Sequence, residues 1–225
     1  MFTGLEIAGI EVGIFIIISF FIRKNVISLT RMNKCVYYWM MFTILTGLWE
    51  FSFITHYKYV NNISRTLIAT DEHVWSSKYN ISYILPWKMA YIFYAEYGAY
   101  ADREYMIVKD DWSRVIEGTH ALFCALFCLF AFLFNIYGKK NRYTICLSVG
   151  MGGQFMNSIL YLVNYFIQCN NPYNVNYGTH QFPTGKFLSK RLFMYVNVFW
   201  FLFPAYTILH LLLSKPHSYI LDSKC

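Results

Sequence analysis

Residues 143–169 read YTICLSVGMGGQFMNSILYLVNYFIQC and carry no charged side chain. About 20 apolar residues cross the hydrocarbon core of a bilayer as a helix, so this one stretch already points to a membrane. Four other runs have the same character: residues 7–22, 36–55, 115–137 and 192–213. Glu11, Glu50 and Glu117 are the only acidic side chains in them, none holds Lys or Arg, and His120 and His210 are the only imidazoles that could take a proton. The runs are continuous rather than alternating, which excludes a transmembrane barrel.

Composition agrees. The 225 residues are 57% apolar or aromatic and 14% charged, against about 25% charged in an ordinary soluble domain. Mean hydropathy is +0.35. Disorder and a soluble globular enzyme are both excluded, because so few charges do not cover a water-facing surface. The chain has 20 Tyr and 6 Trp, rings that favour membrane interfaces. The expected fold is all-α: a polytopic membrane protein in one domain, 1–225, with a five-transmembrane-helix bundle. A cleaved signal peptide is disfavoured for residues 7–22, since Glu6 precedes them and no Lys or Arg does.

The net charge of +7 lies in short clusters between the runs and makes no basic stripe, so no nucleic acid is expected. Arg23, Lys24, Arg31 and Lys34 fill the first connection, and Lys139, Lys140 and Arg142 the third. The positive-inside rule makes that side cytoplasmic. The N-terminus is then lumenal and the C-terminus cytoplasmic. The second connection, 56–114, has equal numbers of acidic and basic residues and becomes lumenal. Within it, residues 81–101 are expected to form an interfacial helix, with Trp87, Tyr91, Tyr94, Tyr97 and Tyr100 at headgroup level; a sixth span is the alternative. Asn62-Ile63-Ser64 and Asn80-Ile81-Ser82 are glycosylation sequons, a short pattern that also arises by chance. Gly150, Gly152 and Gly153 suit close helix packing. Cys35, Cys124, Cys128, Cys146, Cys169 and Cys225 follow no zinc or disulfide spacing and read as buried thiols.

Function is to be sought in the polar groups inside the runs, because a mid-bilayer carboxylate costs roughly 2.5–3.5 kcal/mol on the insertion scale and turns to a cavity or a partner. Glu50 lies near the lumenal end of the second run. Glu117 and His120 share a helical face of the third by their i, i+3 spacing, as do Asn197 and Trp200 in the fifth. Pro204 lacks the N–H that would bond the Trp200 carbonyl, freeing it. Gln154, Ser158 and Tyr161 make a polar stripe on the fourth. At 1.5 Å per residue, Glu50, His120 and Asn197 fall near one level, with Glu117 and Trp200 within about a turn of it. Each residue alone has a plain reading. A Glu near a span end snorkels, a His is packed and hydrogen-bonded, and Asn or Gln joins helices. The convergence is what favours a pocket. His120, Cys124 and Cys128 follow at i, i+4, i+8, but no second ligand group accompanies them, so no metal and no cofactor are expected.

The residues resemble the emopamil-binding protein family, the sterol Δ8-Δ7 isomerases of the EXPERA group, from about Val36 to the end of the fifth run. Leu48-Trp49-Glu50-Phe51 stands where that family has its glutamate segment. Glu96-Tyr97-Gly98 through Asp102-Arg103-Glu104-Tyr105 loosely resembles EYxKxDSRY. Asp110 followed by Glu117-Gly118-Thr119-His120-Ala121 resembles D-x6-E-G-I-T-A. Ser148-Val149-Gly150 with Gln154 and Leu160-Tyr161 resembles SVGQ…LY. Asn197-Val198-Phe199-Trp200 ending at Pro204 resembles NxxWxxxP, the most specific of these. One departure matters. The family has a histidine where this chain has Thr46, and a threonine where it has His120. Either the imidazole enters the same pocket from the facing wall, or activity is lost.

The resemblance implies an intramolecular isomerase that moves a ring double bond through a tertiary carbocation. Glu117 and His120 would shuttle protons, Glu50 would balance the charge, Trp200 would face the cation, and Asn197 would orient these groups. Thr46, Gln154, Ser158, Tyr161 and Asp102 would line the substrate. It further implies the endoplasmic reticulum membrane, a sterol substrate, lipophilic amines as cation mimics, membrane lipid around the bundle and a homodimer. The alternative is a non-catalytic sterol- or amine-binding and trafficking protein of the same group. A transporter is disfavoured by the lack of repeat symmetry, and a retinal protein by the lack of lysine in runs two to five.

Overall fold

A computed structural model describes residues 1–101, 111–168 and 193–213, and those are mostly helical. Helix α1 spans Gly4–Asn25. Thr3 and Glu6 start it with a capping box: the Thr3 hydroxyl accepts from the Glu6 amide at 3.2 Å, and the Glu6 carboxylate accepts from the Thr3 amide at 2.8 Å. A helical turn, α2 (Ile27–Thr30), follows, and Arg23 ties it back by donating to the carbonyls of Thr30 and Met32. Asn33 then caps α3 (Lys34–Thr55) by accepting from the Val36 amide at 3.2 Å.

Two shorter helices, α4 (Tyr57–Thr70) and α5 (Pro86–Glu96), lead to three long ones: α6 (Asp111–Ile136), α7 (Lys140–Gln168) and α8 (Phe193–Leu213). Between α6 and α7 the chain turns at Gly138, whose φ of 68° is open to glycine at no steric cost. Three helical stretches are long and apolar enough to cross a membrane, Gly4–Asn25, Gly118–Ile136 and Lys140–Asn164, and Asn197–Leu213 is a shorter apolar one. Helix α3 is not among them. Its Tyr, Trp, Ser and Thr residues lower its hydropathy, and its position explains why that is tolerated. It packs against α5, α6 and α8, and Val36, Tyr37, Met40 and Phe53 are almost fully enclosed. A helix ringed by others meets protein where α1 presents Ile16, Ile17, Ile18, Phe20 and Phe21 outward.

Two glycines set the helix spacing. A methyl on Gly47 of α3 would collide with Ala125 of α6, and one on Gly150 of α7 would stand 3.2 Å from the Cys124 carbonyl. Gly153 also faces α6, whereas Gly152 opens onto free space and plays no part in packing. Among the described cysteines Cys124 and Cys128 are buried, but Cys35, at the start of α3, is exposed, which corrects the uniform expectation of buried thiols. Cys169 and Cys225 lie outside the described residues.

The connection between α3 and α6 is more structured than expected. Helix α4 (Tyr57–Thr70) buries Val60, Ser64 and Leu67, a single stripe at i, i+4, i+7, against α5 (Pro86–Glu96). The expected single interfacial helix over 81–101 is instead a 3-10 turn (Ile81–Ile84), α5 and a π-helical turn (Tyr97–Ala101). Pro86 accounts for the break, since it starts a helix well and does not continue one. Trp87 is exposed, whereas Tyr94 points inward because α5 packs against both α3 and α4, and Tyr100 because the π-helical turn packs on α4, where its hydroxyl reaches the Leu67 carbonyl at 2.8 Å. The all-α expectation has one exception: β1 (Phe2–Thr3) pairs antiparallel with β2 (Lys78–Tyr79). The N-terminal end of α1 and the α4–α5 region therefore share one end of the molecule. Leu29, Met32, Ala131 and Leu147 pack together at the other end, where Arg23, Lys24, Arg31, Lys34, Lys139, Lys140 and Arg142 lie along the chain.

Candidate functional site

The indole of Trp39, buried on α3, needs an acceptor and finds Gln154 Oε1 of α7 at 2.8 Å. The Gln154 amide nitrogen lies 3.5 Å from the Thr43 hydroxyl, which itself donates to the Trp39 carbonyl. One turn along α7, Ser158 Oγ lies 2.9 Å from the Gln154 carbonyl and 2.9 Å from the carbonyl of Trp200 on α8. The Trp200 carbonyl is the one that Pro204 leaves without a helical donor. Helices α3, α7 and α8 are thus joined by one polar relay.

Rings cover this relay. Trp200 packs on Trp39 at 4.8 Å and stacks on Phe42 at 5.4 Å, while Trp39 stacks on Phe203 at 4.6 Å. Phe42 meets the edge of Trp49 at 6.2 Å, and Trp49 packs on Phe93 at 5.5 Å. The result is a continuous aromatic wall from α8 across α3 to α5. Asn197 is half-buried one turn before Trp200.

Glu50 sits on the same helix α3, eight residues beyond Phe42 and so about 12 Å further along its axis. It is half-buried, the Tyr94 hydroxyl of α5 donates to its Oε1, and its Oε2 faces Gly118 of α6. Glu117 adjoins Gly118 on α6; its side chain lies outside the described residues. His120 is half-buried, with Nε2 3.4 Å from Cys124 Sγ, and Cys124 in turn meets Gly153 of α7. Thr46 is buried and its hydroxyl donates to the Thr43 carbonyl of its own helix at 3.0 Å. The Tyr161 and Tyr97 hydroxyls are 3.0 Å apart, joining α7 to the π-helical turn. Asp102 lies outside the described residues. The single level counted along the sequence therefore resolves into two: Trp200, Trp39, Gln154 and Ser158 at one depth, Glu50 with Tyr94 and Gly118 at another. The count of rises misses this because Trp200 reaches toward Phe42, not toward Glu50.

A further carboxylate belongs to this region, one that sequence spacing does not connect with the others. Glu11 of α1 is 3% exposed, accepts from Trp49 Nε1 at 2.9 Å through Oε1, and buries Oε2 with no hydrogen-bond partner among the described residues. Its signal was a lone carboxylate in the first apolar run, and its indole partner is the residue just before Glu50. A second carboxyl group thus stands behind the aromatic wall. Outside the spans, burial and the neighbouring Tyr59 push the Tyr83 phenol up to about 12, so it stays neutral. Among the described residues no three His, Cys, Asp or Glu gather as a metal would require.

No family model matches this chain, and no curated protein or solved structure shows significant similarity to it.

Proposed function

We propose that this chain is a five-span protein of the endoplasmic reticulum membrane, N-terminus lumenal, that acts as a sterol Δ8-Δ7 isomerase. The observation that carries the reading is the position of Glu50. Its carboxylate is turned into the bundle, held by Tyr94 and packed on Gly118, the neighbour of Glu117. The α3–α6 contact thus carries the Glu50 carboxylate, beside a wall that includes the neighbouring Trp49 ring. Moving a ring double bond takes one proton added at one ring carbon and one removed at another, with no net change of atoms. The intermediate is a tertiary cation. Glu117 and His120 exchange the protons, Glu50 balances the positive charge, and the ring faces, Trp200 among them, attract it. Asn197 and Gln154 orient these groups, and Thr46, Ser158, Tyr161 and Asp102 border the sterol. Lipophilic amines bind in place of the cation.

A second reading is favoured by His120 and Thr46. The imidazole is engaged with Cys124, and the Thr46 hydroxyl with its own helix. Such a pocket binds a sterol or amine without converting it. One experiment separates the two: expression in a yeast strain lacking its sterol isomerase, with the sterols analysed by mass spectrometry. Restored Δ7 sterols support the isomerase. Amine binding by the purified protein without any conversion supports the binding protein.

A further inference from the structure

The two sequons differ in the structure in a way that their sequences do not show. Asn62-Ile63-Ser64 lies in the middle of α4, and Ser64 is fully buried with its hydroxyl donating to the Ala95 carbonyl at 2.8 Å. A glycosyl-transferring enzyme must engage that hydroxyl, and Ser64 is fully enclosed with its proton given to the α5 backbone, whereas Ser82 is only half-buried and its hydroxyl accepts from the flexible side-chain amine of Lys88 at 3.0 Å. Asn80-Ile81-Ser82 lies in a turn directly after β2. Asn80 is exposed, with extended φ and ψ of −69° and 149°. Its Oδ1 accepts from the Ser82 amide at 2.9 Å, and among the described residues no hydrogen bond takes its Nδ2. The side chain is folded toward the sequon serine with its nucleophilic nitrogen open to solvent. Strand pairing with Phe2–Thr3 puts this turn at the end away from the basic clusters.

We propose that Asn80, and not Asn62, is an N-glycosylation site that takes an oligosaccharide from a lipid-linked diphosphate donor. In the transfer, Asn80 Nδ2 forms a bond to the anomeric carbon of the first sugar. The carbon–oxygen bond to the diphosphate breaks, the lipid diphosphate leaves with the electron pair, and Nδ2 gives up one proton. The inference rests on the lumenal orientation of this end, as proposed above.

The test is expression of the full chain in yeast microsomes, read by gel mobility before and after endoglycosidase. Parallel chains carry a sequon-bearing extension ahead of Met1 or after Cys225. The expected result is one glycan, lost in N80Q and S82A and retained in N62Q and S82T, with the N-terminal extension modified. A glycan lost in N62Q but not in N80Q would overturn the assignment. So would an unmodified chain whose N-terminal extension is modified, an outcome that leaves the orientation standing. An unmodified N-terminal extension removes the orientation, and the assignment with it.

Discussion

The hydroxyl of Ser158 lies 2.9 Å from the carbonyl of Trp200, the acceptor that Pro204 strips of its helical partner. A side chain of α7 thus completes the backbone of α8. In a membrane no water replaces a missing donor, so the contact has a measurable worth. S158A is expected to lower stability by about 1–3 kcal/mol, the cost of an unmet buried acceptor. In a P204A background residue 204 regains its N–H, and the same S158A change should cost less than half as much. Thermal unfolding of the four proteins in detergent reads this cycle; equal costs in both backgrounds would show that Ser158 acts elsewhere.

Glu11 gives a second cycle. E11A leaves the buried Trp49 indole without an acceptor and should destabilise the protein by about 1–3 kcal/mol. E11Q keeps an acceptor oxygen and should cost less than E11A. E11L combined with W49F removes both polar partners and should be the mildest of the three. If E11L/W49F is the most damaging, Glu11 has a role beyond its indole partner.

The glycines of α7 separate by position. G150L drives a side chain into the Cys124 carbonyl and Phe127 and is expected to lose about 1–3 kcal/mol or more of stability. G152L, facing open space, should unfold within about 0.5 kcal/mol of the parent. Expression level and unfolding temperature in detergent distinguish them, and similar losses at both positions would contradict the packing described.

Activity predictions depend on the proposed isomerisation. Because a general acid–base group contributes about 10²–10⁴-fold, E117A should reduce conversion of a Δ8 sterol by ~100-fold or more, and E50Q, which removes the charge that balances the cation, should cost about 10²-fold as a lost electrostatic stabiliser. Y94F leaves Glu50 in place and removes only its phenolic donor, so a loss of about 10-fold is expected, the worth of one hydrogen bond to a charged group. Turnover by purified protein, with sterols quantified, is the measurement; unchanged rates in E117A would remove Glu117 from the proton path.

The long helices were readable because apolar runs declare themselves. The run 36–55 places helix α3 within two residues of its start, and Pro204 alone accounts for the freed Trp200 carbonyl. Helix α4 was not readable, because Asn61, Asn62, Arg65 and Thr66 dilute a buried stripe of only Val60, Ser64 and Leu67. The depth of each polar group followed roughly from the helical rise, but its azimuth did not. Rise alone put His120 and Glu50 together; the structure pairs His120 with Cys124 and Glu50 with Tyr94. Glu11 and Trp49, 38 residues apart, show the same limit, since nothing local in either run names the other.

The short pairing of Phe2–Thr3 with Lys78–Tyr79 has a consequence for biosynthesis. The amides of Gly4 and Leu5 find their acceptors, the carbonyls of Ser77 and Trp75, only after those residues have left the ribosome. At ~5–20 residues per second, α1 waits roughly 4–15 s with its capping box closed but these two amides without those acceptors. A chaperone or translocation factor that guards nascent helices has that interval in which to act, and once the clasp closes the opening has gone.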